Sequence, residues 1–285
     1  FQREINTLKG LKHHAFPELY DHFEKKEGED TWMYLILECI PGKNLQEAMD
    51  AGWRPGQQEV RALAIQALDA LQYLQQLAPP LIHRDIKPEN MMRSKEGRVY
   101  IMDFGVARRI ERKASLTQTG TVIGTPMFMS PEQAAGRTLD VRTDVYSLGA
   151  TLYALIAGRP PFVGASVLDV IQRIGKSEPP QLRAFHPDLH RDVITIVQKS
   201  MRKERVRRYQ SALTLAEDIE RHLAGEPIEA RPVSFVEKAG RYLRKRPWMI
   251  NALLFFALAI GVGSGLIWRE KVRENQISEK QREQK

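Results

Sequence analysis

The residues best suited to chemistry lie in one short stretch, residues 83–90, with the sequence HRDIKPEN. It contains a carboxylate at Asp85, an ammonium at Lys87 and an amide at Asn90, and a second carboxylate follows at Asp103 in the triplet DFG. Carboxylate and amide oxygens are the ligands that hard divalent cations prefer. Phosphoryl transfer needs such positioning and charge neutralisation more than it needs covalent work from the protein. These residue types therefore suit chemistry on phosphate groups.

A third motif, Ser130-Pro131-Glu132, follows the first two in the chain. The three motifs have the order and spacing of a protein kinase catalytic loop, metal loop and the end of the activation loop. The sequence resembles the eukaryotic-like protein kinase family, specifically bacterial membrane-anchored serine/threonine kinases. The resemblance covers residues 1–225 and implies an α+β, two-lobe catalytic domain. Its small lobe is incomplete in this sequence and its large lobe is mostly helical.

The resemblance implies a role for each residue of the motifs. Asp85 would orient the substrate hydroxyl and accept its proton, and Lys87 would contact the transferred phosphate. In this family that lysine marks specificity for Ser/Thr over Tyr. Asn90 and Asp103 would hold two Mg²⁺ ions, or Mn²⁺ in their place. The expected reaction transfers the γ-phosphate of ATP to Ser or Thr hydroxyls of protein substrates.

Other positions match the family's ATP site and its supporting framework. Backbone groups of Glu38 and Ile40 would bind adenine, and Met92 would form the floor under the ring. The positions with structural or regulatory roles are Glu4, Leu8, Leu19, His83, Arg84, Phe104, Gly105, Glu132, Asp144 and Arg208.

The resemblance also pairs some of these framework residues. Glu132 would pair with Arg208, and Asp144 would anchor the catalytic loop. Glu4 lies in a predicted helix and matches the glutamate that pairs with the ATP-holding lysine. The regulatory spine of the family would be formed by four side chains, those of Leu8, Leu19, His83 and Phe104.

The elements around the motifs follow from apolar spacing and from Pro and Gly positions. A long irregular loop is expected over 103–135, because it is rich in Ser, Thr and Gly. The predicted regular elements are a helix over 3–11, a buried strand over 32–40, a helix over 57–77, a strand over 98–102 and several helices between 140 and 224.

The loop between Gly105 and Ser130 resembles activation loops of bacterial receptor-like kinases. By that match Thr117 and Thr119 are autophosphorylation sites, and Thr125 belongs to the substrate-binding wall. Arg84 could pair with a phosphothreonine and so order the loop. A plain polar loop is the alternative.

The sequence departs from the family pattern at its start. The family places a glycine-rich loop and a Val-Ala-Ile-Lys strand before the helix that contains Glu4, and only three residues precede Glu4 here. The sequence has one glycine cluster, at 261–265, but it follows no strand and lies in an apolar run. It is therefore not interpreted as a phosphate-binding loop. The chain is therefore interpreted as a fragment that is weakly active or inactive by itself.

Residues 248–268 form an uncharged apolar run with Trp at both ends. About 20 apolar residues span the hydrocarbon of a bilayer, and terminal tryptophans suit its interfaces. The sequence predicts one transmembrane helix here, preceded by a basic juxtamembrane linker at 226–247 and followed by a polar extracytoplasmic segment at 269–285. The alternative is a buried core helix. The expected location is the inner membrane, single-pass, with the kinase domain in the cytoplasm.

Charge content limits the classes of binding partner, and cysteine content limits the possible disulfide bonds. The net charge is +8, and 12 Lys and Arg against 7 Asp and Glu lie within residues 226–285. This placement favours membrane lipid over nucleic acid, because no basic stripe is interleaved with aromatic residues. The only cysteine is Cys39, so a disulfide within the chain is excluded.

Small residues recur every four positions in the predicted membrane helix, at Ala257, Gly261 and Gly265. This spacing suits close pairing of two helices and predicts a homodimer, although glycine is also common in membrane helices. Two other classes of function stay open, a pseudokinase scaffold and a membrane sensor whose kinase part is secondary. The intact motifs favour the active kinase over the scaffold.

Overall fold

The computed structural model describes residues 5, 9–28, 30–103, 126–230 and 268, without the side chains of residues 27, 30 and 33. The chain divides into two compact units, residues 1–231 and residues 232–285. Nearly all described residues belong to the first unit, which contains two small sheets and a group of helices.

Strands β1 (Leu19–Glu27) and β2 (Asp30–Leu37) form an antiparallel hairpin. The turn between them uses Gly28 at φ +66°, a conformation that glycine adopts without strain. The pairing slips once, between Leu19 and Asp21. Several large side chains of the hairpin are exposed, namely Tyr20, Phe23, Trp32, Tyr34 and Ile36.

Strands β3 (Gly42–Asn44), β4 (Met91–Ser94) and β5 (Val99–Ile101) form a second antiparallel sheet in the order β3-β4-β5. Gly42 is required where β3 meets β4, because a Cβ there would lie 2.2 Å from the Arg93 carbonyl oxygen. The catalytic motif lies just before β4, and Asp103 lies just after β5. Strands β4 and β5 therefore connect the two along the chain.

Seven α-helices whose bounds the structure describes and four short 3₁₀ turns lie in the described part of the first unit. The helices are α1 (Leu45–Asp50), α2 (Gln57–Gln76), α3 (Pro131–Ala134), α4 (Arg142–Ala157), α5 (Val167–Lys176), α6 (Arg191–Ser200) and α7 (Ala212–Leu223). The turns are Pro88–Asn90, Pro126–Phe128, Leu182–Ala184 and Arg205–Arg207.

Helix α4 is the centre of the helical lobe. Nearly all of its side chains are buried, as expected for a helix that is surrounded by protein on every face. It packs against α2 and α6, and α2 also packs against α7. Gly149 allows α4 and α6 to approach closely, because a Cβ there would lie 2.6 Å from the Cβ of Ser200.

Local sequence explains where several helices begin. Asn44 caps α1 and pairs reciprocally with Glu47, and Ser130 and Gln133 do the same at the start of α3. These are capping boxes, which satisfy backbone N–H groups that the first turn leaves open. Helix α4 ends at Gly158, whose φ of +68° is typical of a helix C-cap.

Asp218 on α7 fixes the chain that leaves the helical lobe. Its fully buried carboxylate accepts hydrogen bonds from the Glu229 and Ala230 N–H groups at 2.6 and 2.8 Å. The Tyr209 hydroxyl and the Arg221 guanidinium also donate to it, at 2.8 and 2.9 Å. Residues up to Ala230 are thus held against the lobe.

The observed elements agree with most of the predicted ones. The helix over 57–77 and the strands over 32–40 and 98–102 are confirmed within three residues, and residues 5, 9 and 10 of the helix over 3–11 are helical. Strand β1 was not predicted. The loop predicted over 103–135 was partly wrong, because its end contains a 3₁₀ turn and helix α3.

No helix within the described residues is long and apolar enough to cross a membrane. The predicted membrane span at 248–268 lies outside these residues except for Trp268, which is helical and exposed.

Candidate active site

The catalytic motif lies in a loop between α2 and β4, and the start of α4 anchors this loop. The carboxylate of Asp144 accepts hydrogen bonds from the N–H groups of His83 and Arg84, both at 2.8 Å. Asp144 is buried, and burial raises the pKa of its carboxyl to about 6. The backbone bonds oppose this rise because they favour the charged form. The contact is the one that the resemblance implies for Asp144.

His83 connects the loop to the end of β5. Its ring is fully buried, and burial lowers its pKa to about 4, so the imidazole is neutral at pH 7. The N–H of Asp85 donates to Nδ1 at 3.3 Å, which assigns the ring proton to Nε2. Nε2 then donates to the Met102 carbonyl at 3.1 Å. His83 therefore fixes Asp85 relative to the residue that precedes Asp103.

The structure brings Asp85, Lys87 and Asn90 together. Lys87 Nζ and Asn90 Nδ2 both donate to Asp85 Oδ2, at 3.0 and 2.8 Å. Asn90 Nδ2 also donates to the Asp85 backbone carbonyl at 2.9 Å. Lys87 and Asn90 are buried, whereas the Asp85 side chain keeps about a quarter of its surface exposed. The carboxylate is thus held in one orientation and remains accessible.

Asp103 lies directly after β5, next to this group along the backbone. The N–H of Met102 donates to the carbonyl of Asn90 at 2.8 Å, which places Asn90 beside the residue before Asp103. Asp103 is exposed and has a φ of +50°, and Arg84 has a φ of +73°. Non-glycine residues seldom adopt positive φ, and such strain is common at functional sites. Both strained residues belong to the predicted site.

The predicted adenine-binding residues lie on the segment between β2 and β3 and on β4. The Glu38 N–H donates to the Glu18 carbonyl at 2.8 Å, so the backbone group that Glu38 can offer a ligand is its carbonyl. Ile40 is buried, and Met92 on β4 is half-buried. Their roles in binding adenine stay predictions.

Glu132 and Arg208 form a buried bidentate ion pair, with N···O distances of 2.6 and 2.7 Å. This is the pairing expected from the resemblance. Burial by itself would raise the pKa of Glu132, but the hydrogen bonds and charge of Arg208 outweigh it, and the pKa is lowered. The remaining N–H groups of Arg208 donate to three backbone carbonyls, those of Arg142, Arg202 and Lys203.

Two residues near the site were missed in the sequence. Gln133 Nε2 donates to the Arg84 carbonyl at 2.7 Å, which ties α3 to the catalytic loop. Thr143 donates to Glu132 at 3.1 Å. The spacing of Ser130 and Gln133 was a recognisable capping-box signal for α3, but the contact with Arg84 joins residues 49 positions apart and has no local signature.

Several predicted site residues lie outside the part of the chain that the structure describes. These are Glu4, Leu8, Phe104, Gly105, Thr117, Thr119 and Thr125. Of the four predicted spine residues, His83 is buried and Leu19 is half-buried opposite Leu37 at the start of the hairpin.

The amino-acid sequence is similar to those of known protein kinases. The protein kinase domain family matches residues 1–222. A probable serine/threonine-protein kinase of Streptomyces coelicolor is 37% identical over 243 residues, which cover 85% of this chain and 36% of that protein. The serine/threonine-protein kinase PknB of Mycobacterium leprae is 37% identical over 234 residues, covering 82% of this chain and 37% of that protein. PknB of Mycobacterium tuberculosis is 36% identical with the same coverage. The chain thus spans little more than a third of these relatives.

Proposed function

We propose, because the chain belongs to the protein kinase domain family, that it supplies the catalytic residues of a serine/threonine protein kinase. The observation that carries the proposal is the convergence of Lys87 and Asn90 on one carboxylate oxygen of Asp85. The names of the relatives support protein Ser/Thr hydroxyls as the substrate class.

In the proposed reaction Asp85 orients a Ser or Thr hydroxyl and accepts its proton. The hydroxyl oxygen forms a bond to the γ-phosphorus of ATP as the bond from that phosphorus to the ADP oxygen breaks. Lys87 and Asn90 keep Asp85 in one orientation, which supports a reaction that depends on positioning. Lys87 also places a positive charge where negative charge accumulates on the phosphoryl group.

The donor set near Asp85 fits divalent cations. The hydrogen bonds of the Asn90 side chain use its amide nitrogen, so the amide oxygen is the atom that Asn90 can offer. Asp103 offers an exposed carboxylate, and both are the hard oxygen ligands that Mg²⁺ or Mn²⁺ prefers. A bound cation would neutralise charge on the phosphates of ATP. The Glu38 carbonyl, the Ile40 backbone and Met92 are proposed to bind adenine.

We further propose that the kinase is anchored in the inner membrane by a helix over 248–268, with the catalytic domain in the cytoplasm. The uncharged length, the terminal tryptophans and the basic flanks of this run support the proposal. Because ATP is cytosolic, the catalytic side must face it. Residues 226–247 would then approach the inner leaflet, where basic side chains attract anionic lipid.

The substitution Asp85→Asn tests the function, because it keeps the shape of the side chain but removes the proton acceptor. In the full-length protein it should lower Ser/Thr phosphorylation of a generic protein substrate by about 10²–10⁴-fold, while ATP binding persists. The matched control is Asp188→Asn, which removes an exposed carboxylate far from the motif in sequence. Radiolabelled phosphate transfer and calorimetric ATP binding measure the two properties.

Two outcomes of this experiment would reject the proposal. Undiminished turnover in Asp85→Asn would show that the assigned carboxylate is not the catalytic one. A wild-type protein that binds ATP but transfers no phosphate under any condition would favour the pseudokinase scaffold instead.

A further inference from the structure

Two imidazoles and one carboxylate converge on a surface outside the candidate active site. His13 Nε2 lies 3.2 Å from Asp69 Oδ2, and His14 Nε2 lies 3.7 Å from the same oxygen. The two rings stack, with centroids 4.3 Å apart and planes inclined by 30°. The three candidate donor atoms therefore lie within 4.8 Å of one another.

Neighbouring contacts hold this group in place. The N–H of Lys12 donates to the Tyr73 hydroxyl at 2.8 Å, and the His13 ring centroid lies 5.0 Å from that of Tyr73. Asp69 and Tyr73 are four residues apart on α2 and so lie on one face of the helix. The turn before β1 is thus fixed against α2, with both histidines beside Asp69.

We propose that His13, His14 and Asp69 bind a divalent transition-metal ion, and that Zn²⁺ is the ion their donor atoms fit. Two imidazole nitrogens and one carboxylate oxygen form the donor set of open zinc sites, in which water takes the fourth position. Mg²⁺ and Ca²⁺ are disfavoured because they select oxygen ligands. The side chains of His14 and Asp69 are 64% and 55% exposed, so an ion can enter and keep a water ligand.

Coordination requires an unprotonated ring nitrogen on each histidine. The Ala15 N–H donates to His13 Nδ1 at 3.3 Å, which assigns the proton of the metal-free ring to Nε2. On binding, that proton moves to Nδ1, and the long bond from Ala15 is the contact that is lost.

The ion would cross-link two parts of the fold that are distant in sequence. His13 and His14 precede the β1–β2 hairpin, whereas Asp69 belongs to α2 of the helical lobe. Binding would therefore restrain the turn before the hairpin relative to that lobe. Because an ion that binds only the folded state stabilises it, Zn²⁺ should raise the melting temperature of the protein.

Calorimetric titration of the full chain in mild detergent, stripped with a chelator, tests the site with ZnCl₂ alone. The wild type should bind one Zn²⁺ per chain through this cluster, and Asp69→Asn and His14→Gln should each weaken this binding by at least about tenfold. Two control variants should bind like the wild type. His190→Gln removes a member of the other candidate cluster, with Asp192 and His222, and Cys39→Ser removes the exposed thiol.

Melting curves make the test independent of folding defects. Because the two altered side chains are exposed, both variants should melt like the wild type without Zn²⁺ and should lose the rise that Zn²⁺ produces. The proposal is rejected if the wild type binds no Zn²⁺, or if both variants bind it as tightly as the wild type. It is also rejected if the Cys39 or His190 variant alone abolishes binding.

Discussion

Arg208 is the largest fully buried side chain among the described residues, and all five of its N–H donors are used. Two of its hydrogen bonds reach Glu132 and three reach backbone carbonyls. Its guanidinium carbon also lies 4.9 Å from the Tyr146 ring centroid. Because Glu132 lies in the first turn of α3, next to the Gln133 that donates to the Arg84 carbonyl, the ion pair supports the framework of the site.

Arg208→Ala should lower the free energy of unfolding by about 3–5 kcal/mol, because it leaves the Glu132 carboxylate buried without a partner. The matched control is Arg205→Ala, which breaks a half-exposed pair with Asp140 at 2.8 Å and should cost at most about 1 kcal/mol. Urea denaturation followed by circular dichroism measures both losses. Equal losses in the two variants would show that burial of the pair is not what makes Arg208 important.

For single residues, the sequence predicted which residues contact each other better than it predicted their backbone conformations. The pairing of Glu132 with Arg208 and the anchoring role of Asp144 followed from the resemblance to the kinase family. The positive φ angles of Arg84 and Asp103 did not, because positive φ is uncommon for any non-glycine residue and the sequence does not show which position will adopt it. At Arg84 the backbone is held by long-range contacts: its N–H donates to Asp144, and its carbonyl accepts from Gln133.

Among the elements, strand β1 shows where sequence patterns were insufficient. Its sequence LYDHFEKKE places charged residues on both faces, so neither alternation nor an apolar run marks it as a strand. Pairing with β2 determines its conformation instead. Helix α2 was easier to predict, because its apolar positions recur at helical spacing, and the Pro-rich joints at 160–161 and 179–180 marked where later helices are separated.

The segment between β5 and the 3₁₀ turn at residues 126–128, predicted to be an activation loop, carries a prediction about regulation. Thr117 and Thr119 should acquire phosphate when the full-length protein is incubated with Mg-ATP, and mass spectrometry can locate it. Their double substitution by Ala should reduce kinase activity, because the phosphates would pair with basic side chains such as Arg84. Ser115→Ala is the matched control in the same loop. An active enzyme that is unmodified at both threonines would contradict the prediction.

The predicted membrane helix carries a second prediction at the scale of elements. Gly261→Ile combined with Gly265→Ile should weaken self-association in a membrane assay, because isoleucine keeps the two backbones apart. Phosphorylation of the predicted activation loop should decrease together with self-association if one chain phosphorylates another. Gly263→Ile alters a residue off the Ala257–Gly261–Gly265 face and should have little effect. If the double variant associates normally, the small residues reflect composition only.

For the whole molecule, the orientation in the membrane can be tested directly. Lys and Arg are balanced around the apolar run, six in 230–247 and six in 269–285, so charge alone does not decide the topology. A phosphatase reporter that works only outside the cytoplasm should be active when fused after Lys285 and inactive when fused after Ala230. Activity in the reverse pattern would contradict the proposed location of the catalytic domain.

The contact between Asp218 and residues 229–230 would have a mechanical consequence in a chain anchored as proposed. Tension that arrives along the chain from beyond residue 231 must first break the bonds of the Glu229 and Ala230 N–H groups to this carboxylate. Tyr209 and Arg221 hold the carboxylate from the other side, so the force is distributed into α7 and the turn before it. The catalytic loop has an anchor of its own, the hydrogen bonds of the His83 and Arg84 N–H groups to Asp144 on α4.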